Sequence, residues 1–497
     1  MTLGLCISQP PSAITTGPKM SLKDRHCRIS QRGGSDIIHH FTTKSPVFMP
    51  LGARRLKKCI LVTPVIVCIA ISFLACGGSS KKSTTRKASG LPERVLVSQS
   101  VTSTAALGGL FIINGSNDTL PAGVTPLSAG TNPGLMAISP TRNVAAAVDS
   151  ASDTVYAVDT TTESAIGSGV RISGPTNSLV IPTSNSSAFA AVPTATVNGF
   201  AFTGGVNSMN FSTGAASTIA VNNAQTVVAN SDGSQLLVFS GDSDSITVLN
   251  PGNAAPPVDT SCYTNPPNSV CTIVPGFDRP VFAIVKGGTA YVLNCGPQCG
   301  GTQASVMIFD LPTLSIIQTI PVPAATMALL NNTTLYVAGT PPTGNACTGQ
   351  NTAAKTCGRL SIINLATAKV TATAAITDGY HQRMDLTGNN QLFIGSKDCT
   401  NIGNVNDIQV VNQPTSEVRG CLTVYHTDTG VLFFPPDNGN VDDLQGFTTR
   451  QIEYVAEGGN LRVYDTTKDI LLINDFLPQG TINIVGYVTG VKAIDFF

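Results

Sequence analysis

The chain has 497 residues, of which only 12% are charged and 6% are aromatic, and it contains no tryptophan. Lys and Arg equal Asp and Glu at 29 each, but basic residues dominate up to Cys76 and acidic residues dominate from Leu91 onward. An acidic body lacks the basic face that phosphate contacts need, so nucleic acid is excluded as an expected partner. Low charge with many β-branched residues and turn formers favours an all-β fold of short strands.

The N-terminal segment differs from the rest of the chain. Residues 1–48 are basic and show no hydrophobic periodicity. Met49 begins a more typical start, in which the charged residues 54–58 precede an apolar run over residues 59–75. We therefore interpret residues 1–48 as an upstream extension from a misassigned start, with a genuine long leader as the alternative.

Residues 49–75 have the pattern of a signal peptide, because their apolar run is short for a membrane span and contains Pro64. The residues Phe73-Leu74-Ala75-Cys76 resemble the lipobox of bacterial lipoproteins, although Phe73 stands where Leu is usual. The resemblance implies that Cys76 carries the lipid and begins the mature protein. An uncleaved single-span anchor is the alternative.

Residues 76–91 are interpreted as a flexible tether, because they are almost free of apolar side chains. Gly77 is not the Asp that argues for retention at the inner membrane. The lipid anchor makes the membrane a partner. The expected location is therefore the bacterial cell envelope, anchored in the outer membrane and facing the periplasm or the exterior.

A short pattern recurs through residues 92–497: an apolar residue, any residue, two apolar residues, and then Asp or Asn. Successive copies end 39 to 62 residues apart, and one copy ends in His. The eight terminal residues are Asn114, Asp159, Asn210, Asn250, Asp310, Asn364, His426 and Asp465. A repeat of about 40–60 residues with four short strands is typical of a β-propeller. We expect the Asp and Asn side chains to fix the next turn by accepting backbone hydrogen bonds.

We denote the four strands of each unit a to d, from the centre of the ring outward. The predicted b strands are residues 95–97, 144–148, 188–192, 236–239, 290–293, 335–338, 392–394 and 453–456. The first unit has no a strand of its own, and the chain ends in an unpaired strand, residues 485–497. We predict that this last strand pairs inside the first blade and closes the ring, which removes exposed sheet edges.

The cadence of the repeat resembles that of the YVTN-type propellers of bacterial surface proteins, a lactonase-like branch of the propeller folds. The matching residues are 138–143, Thr154–Asp159 and 231–233. The resemblance implies a single propeller that is usually seven-bladed, whereas the repeats in this chain number eight. The lack of Trp argues against WD40 repeats and against tryptophan-docked propellers.

Eight of the 13 cysteines lie beyond Cys76, and they form four pairs that are close in the sequence. The pairs are Cys262 and Cys271, Cys295 and Cys299, Cys347 and Cys357, and Cys399 and Cys421. An even number after an export signal predicts disulfides, and each pair falls within one inter-strand loop. A metal site at Cys295 and Cys299 is the alternative, although no His lies near them.

The candidate binding site is one face of the ring, because the b–c and d–a loops of a propeller emerge together and long loops on a rigid scaffold often carry function. Its candidate residues are Arg279, His381, Arg383, Asp442 and Asp443. No cofactor is predicted. Residues 437–443 are rich enough in oxygen for Ca²⁺, but they lack the EF-hand spacing, and an Asx-rich turn is the interpretation we favour.

The chain lacks the common catalytic motifs, including G-x-S-x-G, H-E-x-x-H and the P-loop. We interpret His381 as a solvated loop residue and His426 as part of a local turn. The function we expect is a non-catalytic, lipid-anchored propeller that binds an envelope protein or a glycan. One alternative is a lactonase-like hydrolase with its site at the channel mouth, where His381, Arg383 and Asp385 would need acids from other blades. A structural surface-layer component is the other.

Overall fold

The computed structural model describes residues 88–100, 108–184, 186–253, 271–341, 358–399, 421–435, 439–447, 449–474, 477 and 479–495. The predicted extension, signal peptide and lipidated Cys76 lie outside these residues, and so does most of the tether. Among the helices of the described residues, none has the length and apolar character needed to cross a bilayer.

The first half of the described chain forms antiparallel sheets of short strands. The first blade begins with β1 (Arg94–Ser100) and β2 (Gly109–Asn114). The second blade is β3 (Pro133–Ile138), β4 (Val144–Asp149), β5 (Thr154–Asp159) and β6 (Ser164–Arg171). The third is β7 (Ser178–Val180), β8 (Ser187–Thr196), β9 (Thr203–Asn210) and β10 (Ala215–Ala220). The fourth is β11 (Ala224–Ala229), β12 (Leu236–Ser240), β13 (Ser245–Leu249) and β14 (Cys271–Pro275).

The second half repeats the arrangement. The fifth blade is β15 (Pro280–Lys286), β16 (Thr289–Asn294), β17 (Ser305–Asp310) and β18 (Ser315–Pro321). The sixth is β19 (Met327–Asn331), β20 (Thr334–Gly339), β21 (Gly358–Asn364) and β22 (Lys369–Ile376). The seventh is β23 (Tyr380–Leu386), β24 (Gln391–Lys397), β25 (Leu422–His426) and β26 (Leu432–Phe433). The eighth is β27 (Val441–Gly446), β28 (Ile452–Glu457), β29 (Asn460–Asp465) and β30 (Ile470–Leu471), with β31 (Thr481–Ile482) also beside β29.

The last strand, β32 (Tyr487–Ala493), returns to the first blade and pairs antiparallel with β1, where Leu96 faces Lys492. It contacts β27 of the eighth blade on one side and β3 of the second blade on the other. Each remaining a strand likewise contacts the a strand of the next blade, so the ring closes. The predictions of eight blades and of closure by the C-terminal strand are confirmed, and the seven blades usual in the resembled family do not apply to this chain.

The core lies between the blades rather than inside one sheet. Eight clusters of buried apolar side chains occur in the described part of the chain, and each joins two neighbouring blades. The b strands are buried on both faces, and β4, for example, is buried at every residue. The d strands such as β18 lie at the rim and are mostly exposed. This difference explains why the b strands are continuous apolar runs in the sequence.

The predicted turn role of the residue that ends each c strand is confirmed in several blades. The Asp159 carboxylate accepts the backbone N–H groups of Thr161 at 2.8 Å and Thr162 at 3.0 Å. Asn364 accepts those of Ala366 and Thr367 in the same way. The short side chain therefore begins the c–d hairpin by satisfying donors that the turn leaves free.

Candidate functional site

Two disulfides lie on the predicted loop face. Cys295 and Cys299 are bonded between β16 and β17, with their Cα atoms 5.6 Å apart. Cys399 and Cys421 are bonded across the loop between β24 and β25, with their Cα atoms 5.5 Å apart. Cys271 is also disulfide-bonded. Its predicted partner and the predicted pair in the sixth blade, Cys262, Cys347 and Cys357, lie outside the described residues. The bridges Cys295–Cys299 and Cys399–Cys421 close b–c loops, as predicted, whereas Cys271 follows the c–d loop of the fourth blade.

We use the name stapled face for a part of the loop side of the ring that runs from the fifth blade to the strand β32, and we define it by residues 276–279, 295–304, 340–341, 379–380, 397–399, 439–442 and 485–487. In the fifth blade its two loops are joined by Asp278. The Asp278 carboxylate accepts the N–H groups of Thr302 at 2.9 Å and Gln303 at 2.6 Å. Burial opposes ionisation of Asp278, but these hydrogen bonds outweigh it and lower its pKa. The d–a and b–c loops of this blade therefore hold each other in place.

Hydrogen bonds continue across the stapled face from blade to blade. The Thr340 N–H donates to the Gln298 side-chain oxygen at 2.9 Å, which joins the sixth blade to the fifth. The Thr340 hydroxyl donates to the carbonyl oxygen of Gly379 at 2.7 Å, which joins it to the seventh. The Asp398 N–H donates to the side-chain oxygen of Asn440 at 2.9 Å, which joins the seventh to the eighth. These loops are pre-organised by contacts that do not require a ligand.

Large apolar side chains are exposed on the same face. Tyr380 and Tyr487 are the first residues of a strands, and 44% and 38% of their surfaces are exposed. Val485, in the loop before β32, is 63% exposed. Burial of the Tyr487 hydroxyl and the neighbouring Asp442 charge raise the Tyr487 pKa, so this phenol stays protonated at neutral pH. Exposed tyrosines that each combine a flat ring with a hydroxyl are favoured in binding surfaces.

The structure divides the five predicted site residues. Arg279 lies in the d–a loop before β15, as predicted, and its Nε is 3.7 Å from a carboxylate oxygen of Asp244. The other four, His381, Arg383, Asp442 and Asp443, lie in the a strands β23 and β27 rather than in loops. The loop prediction for these four residues is therefore wrong. Arg383 does contact the two acids of the eighth blade, since its Nε lies 3.0 Å from the Asp443 carboxylate and donates to the carbonyl oxygen of Asp442 at 3.1 Å. The His381 side chain instead faces Thr377.

The interpretation of His381 as a solvated residue is wrong. Its side chain is fully buried, and its Nε2 lies 2.9 Å from the carbonyl oxygen of Thr377. Burial lowers the His381 pKa to about 4, despite the favourable contact with that carbonyl. The imidazole is therefore neutral at neutral pH and acts as a packed, hydrogen-bonded core residue.

Two β-bulges account for the unexpected side-chain directions. The register with the neighbouring strand shifts between His381 and Arg383 in β23, and between Val441 and Asp443 in β27. A bulge adds one residue and re-aims the side chains around it. Simple alternation along the strand therefore fails to predict which residues face the core.

Asp443 is the centre of a buried ionic cluster. Its carboxylate accepts the N–H of Val491 at 3.0 Å and the ammonium of Lys492 at 2.7 Å. Arg383 lies 3.0 Å from its other oxygen. Since only 2% of Asp443 is exposed, these contacts replace the water that the charge would otherwise bind. Asp443 thereby clasps β32 to the eighth blade.

Two further acids, Asp385 and Glu453, lie near this cluster, and we call them the Asp385–Glu453 pair. The backbone N–H of Gly446 donates to the Asp385 carboxylate. Burial raises the Asp385 pKa to about 6 and raises the Glu453 pKa well above its usual range. Asp385 was predicted only as a member of a polar cluster, and neither Glu453 nor Lys492 was predicted. Glu453 could have been noticed, because it is a charged residue within the otherwise apolar b strand β28.

Within the part of the chain that the structure describes, no group of three or more His, Cys, Asp or Glu side chains is arranged to hold a metal ion. The side chains of His426 and Asp442 both contact a partner elsewhere in the fold. His426 Nε2 lies 2.7 Å from the Asp469 carboxylate of the next blade, so the predicted role of His426 in a local turn is wrong for its side chain. Asp442 forms an ion pair with Lys397 of the seventh blade.

Comparisons with known proteins were made by sequence and by structure. No protein-family model matches the chain, and no curated protein matches it. Among solved structures, dihydro-heme d1 dehydrogenase NirN in complex with DHE is 12% identical with a TM-score of 0.50, covering 82% of this chain and 76% of its own. Hydrazine synthase from Kuenenia stuttgartiensis is 11% identical with a TM-score of 0.38, covering 70% of this chain and 80% of its own.

The β-propeller domain of Cps50 (Swd1) from Myceliophteria thermophila is 11% identical with a TM-score of 0.42, covering 69% of this chain and 99% of that domain. At such identities only the similarity to NirN carries weight, and it shows the fold alone. The chain is therefore an eight-bladed β-propeller of four-stranded antiparallel blades, a class that serves as a scaffold or binding domain in many settings.

Proposed function

We propose that this propeller is a lipid-anchored, non-catalytic binding protein of the bacterial cell envelope, which uses the stapled face to bind an envelope protein or a glycan. The observation that carries the proposal is the coincidence, on one face, of disulfide-closed loops, cross-blade hydrogen bonds and exposed tyrosines. Disulfides persist in oxidising compartments, which supports export. Pre-organised loops lower the entropic cost of binding.

Assignment to the YVTN-type, lactonase-like branch is part of the proposal. It is supported by the turn at residues 139–144, where the Ser139 N–H donates to the Val144 carbonyl at 2.8 Å and Arg142 has a φ of 57°. A hydrolase is the weaker candidate, because the imidazole of His381 and the carboxylate of Glu453 are both fully buried. Neither group is open to a substrate at the channel mouth.

The anchor is tested by expressing the natural chain in a bacterium and extracting its membranes. We expect a mature protein that begins at a lipidated Cys76 and partitions into detergent, whereas Cys76→Ser leaves an unlipidated chain. Intact-mass analysis distinguishes the two forms. A wild-type chain that still carries residues 49–75 would show that the segment is a retained anchor and would contradict the lipoprotein assignment.

The binding face is tested with residues 77–497, which lack the anchor, in sedimentation with purified envelope fractions from the producing bacterium. We expect Tyr380→Ala with Tyr487→Ala to weaken retention by at least about tenfold, since aromatic anchors contribute about 2 kcal/mol or more at interfaces. Ile317→Ala is the matched control, because Ile317 is 61% exposed but lies on the outer strand β18. Equal losses in the control and the tyrosine variant would rule out the stapled face.

A further inference from the structure

Glu453 is a carboxyl group in an unusual place. It lies in β28, a b strand whose six residues are all buried. Both of its carboxylate oxygens lack a hydrogen-bond partner among the described residues. A buried carboxylate without donors is strongly disfavoured, and such a group keeps a proton instead.

A second carboxyl group lies beside it. A Cβ atom placed on Gly446 would be 2.4 Å from Glu453 Oε2 and 3.2 Å from Asp385 Oδ2, so the two acids flank the same glycine. Glu453 is also opposite Gly446 in the pairing of β28 with β27. Asp385 keeps part of its surface exposed, whereas Glu453 is fully buried. Asp385 is therefore the member of the pair that lies nearer to solvent.

The charged groups around the pair come from three other elements of the ring and from the strand of Asp385 itself. Lys492 of β32 favours ionisation of Asp385. Arg142, in the turn between β3 and β4, is close enough for the Asp385 charge to stabilise its own protonated form. Asp443 of β27 opposes ionisation of both acids. Arg383 shares β23 with Asp385 but is paired with Asp443. Asp443 also holds the Lys492 ammonium at 2.7 Å, so little positive charge is left for the pair.

We propose that the Asp385–Glu453 pair is a proton-controlled lock on the closed ring: while the pair is protonated, β32 stays clasped to Asp443, and loss of its protons loosens that strand. When both acids ionise, three carboxylates lie beside the Lys492 ammonium and the guanidinium groups of Arg142 and Arg383, and both Lys492 and Arg383 are already paired with Asp443. Their repulsion acts directly on the contact between Lys492 and Asp443, which holds the C-terminal strand. The proposal goes beyond the binding function and does not depend on any ligand.

The pKa directions give the sign of the effect. Burial raises the Asp385 pKa to about 6, against the lowering effect of the Gly446 N–H. Burial, Asp385 and Asp443 together raise the Glu453 pKa. Because both values lie above those of the unfolded chain, the folded chain binds more protons. The stabilisation is complete below about pH 4 and is lost as the pH rises through about 6 and beyond.

The experiment compares the mature wild-type protein with Asp385→Asn, Glu453→Gln and the control Asp428→Asn, whose carboxyl is exposed. Denaturant unfolding is measured from about pH 4 to about pH 8, and hydrogen exchange of the β32 amides is corrected for the intrinsic rate at each pH. Across this pH range we expect the unfolding constant of the wild type to rise roughly a hundredfold more than that of Asp385→Asn. Glu453→Gln, which mimics the protonated acid, is expected to keep β32 protected at high pH.

Two results would overturn the proposal. One is a pH dependence in Asp385→Asn and Glu453→Gln equal to that of the wild type and Asp428→Asn. The other is a changed pH dependence with no change in β32 exchange, which would make the pair a general stability determinant rather than a lock. If either variant fails to fold, the infrared C=O band of protonated carboxylic acids is followed in the wild type instead. The proposal requires this band to weaken between about pH 5 and about pH 8 while the β32 amides lose protection, and it is wrong if the two changes do not occur together.

Discussion

A chain that ends at residue 484 is expected to lose the cooperative unfolding transition of the intact propeller. Without β32, the inner edge of β1 is open and the clasp of Asp443 has no partner strand. The buried side chains Val488 and Val491 also leave the core. Each fully buried aliphatic side chain contributes about 1.5–3 kcal/mol, and whole domains are stable by only about 5–15 kcal/mol. Calorimetry and near-ultraviolet circular dichroism measure the loss.

Supplying the strand separately provides the control for this truncation. A peptide of residues 485–497 is expected to restore the transition only at high concentration, because the intact chain presents β32 at an effective concentration of about millimolar. A peptide in which Lys492 and Val491 are replaced by Asp should not restore it. A truncated chain that still unfolds cooperatively at the wild-type midpoint would mean that β32 does not close the ring energetically.

Asp118→Ala is expected to destabilise the ring by about 3 kcal/mol, because it leaves the half-buried Arg450 guanidinium and the buried Tyr454 hydroxyl without their shared partner. Asp118 follows β2, and only 2% of it is exposed. Its carboxylate accepts two parallel hydrogen bonds from Arg450, both 2.7 Å long, and a further one from the Tyr454 hydroxyl. Arg450 lies between β27 and β28, so this contact is a second clasp between the eighth and first blades.

A double-mutant cycle separates the ion pair from a general loss of packing. Asp118→Ala combined with Arg450→Met should recover part of the stability, since the double variant no longer contains the unpaired cation. Asp428→Ala, at an exposed carboxylate, is expected to change the free energy of unfolding by less than about 0.5 kcal/mol. Chemical denaturation measures five chains, namely the wild type, Asp118→Ala, Arg450→Met, the double variant and the Asp428→Ala control. Additive effects of the two substitutions would contradict a coupled clasp.

Local patterns in the sequence predict the architecture well. The apolar b strands, the Asp or Asn at the ends of c strands and the spacing of their repeats depend on interactions within a single blade. The first blade has no a strand of its own, and the chain ends in an unpaired strand at residues 485–497. Together these two features predict that the last strand completes the first blade and closes the ring. Disulfide loops are equally local, as in the bridges Cys295–Cys299 and Cys399–Cys421.

The site was predicted less well, for reasons that particular residues show. His381 was expected in solvent because polar residues surround it in sequence, but it is buried and bonded to the carbonyl of Thr377. Asp442 and Asp443 were expected in a turn, but a bulge places them at the start of β27. A one-residue bulge reverses the alternation of side chains along a strand, and nothing in the local composition marks it.

The eight-bladed all-β ring, its closing strand and the loops that its cysteines close can be predicted from the chain alone, because they follow from periodicity, turn chemistry and spacing. Which charges meet depends instead on how the blades are arranged in space. Asp385, Asp443, Glu453 and Lys492 are carried by three different blades, and they come together at the seam where the ring closes. Convergence of this kind depends on strand register and blade order, which no local stretch of sequence contains.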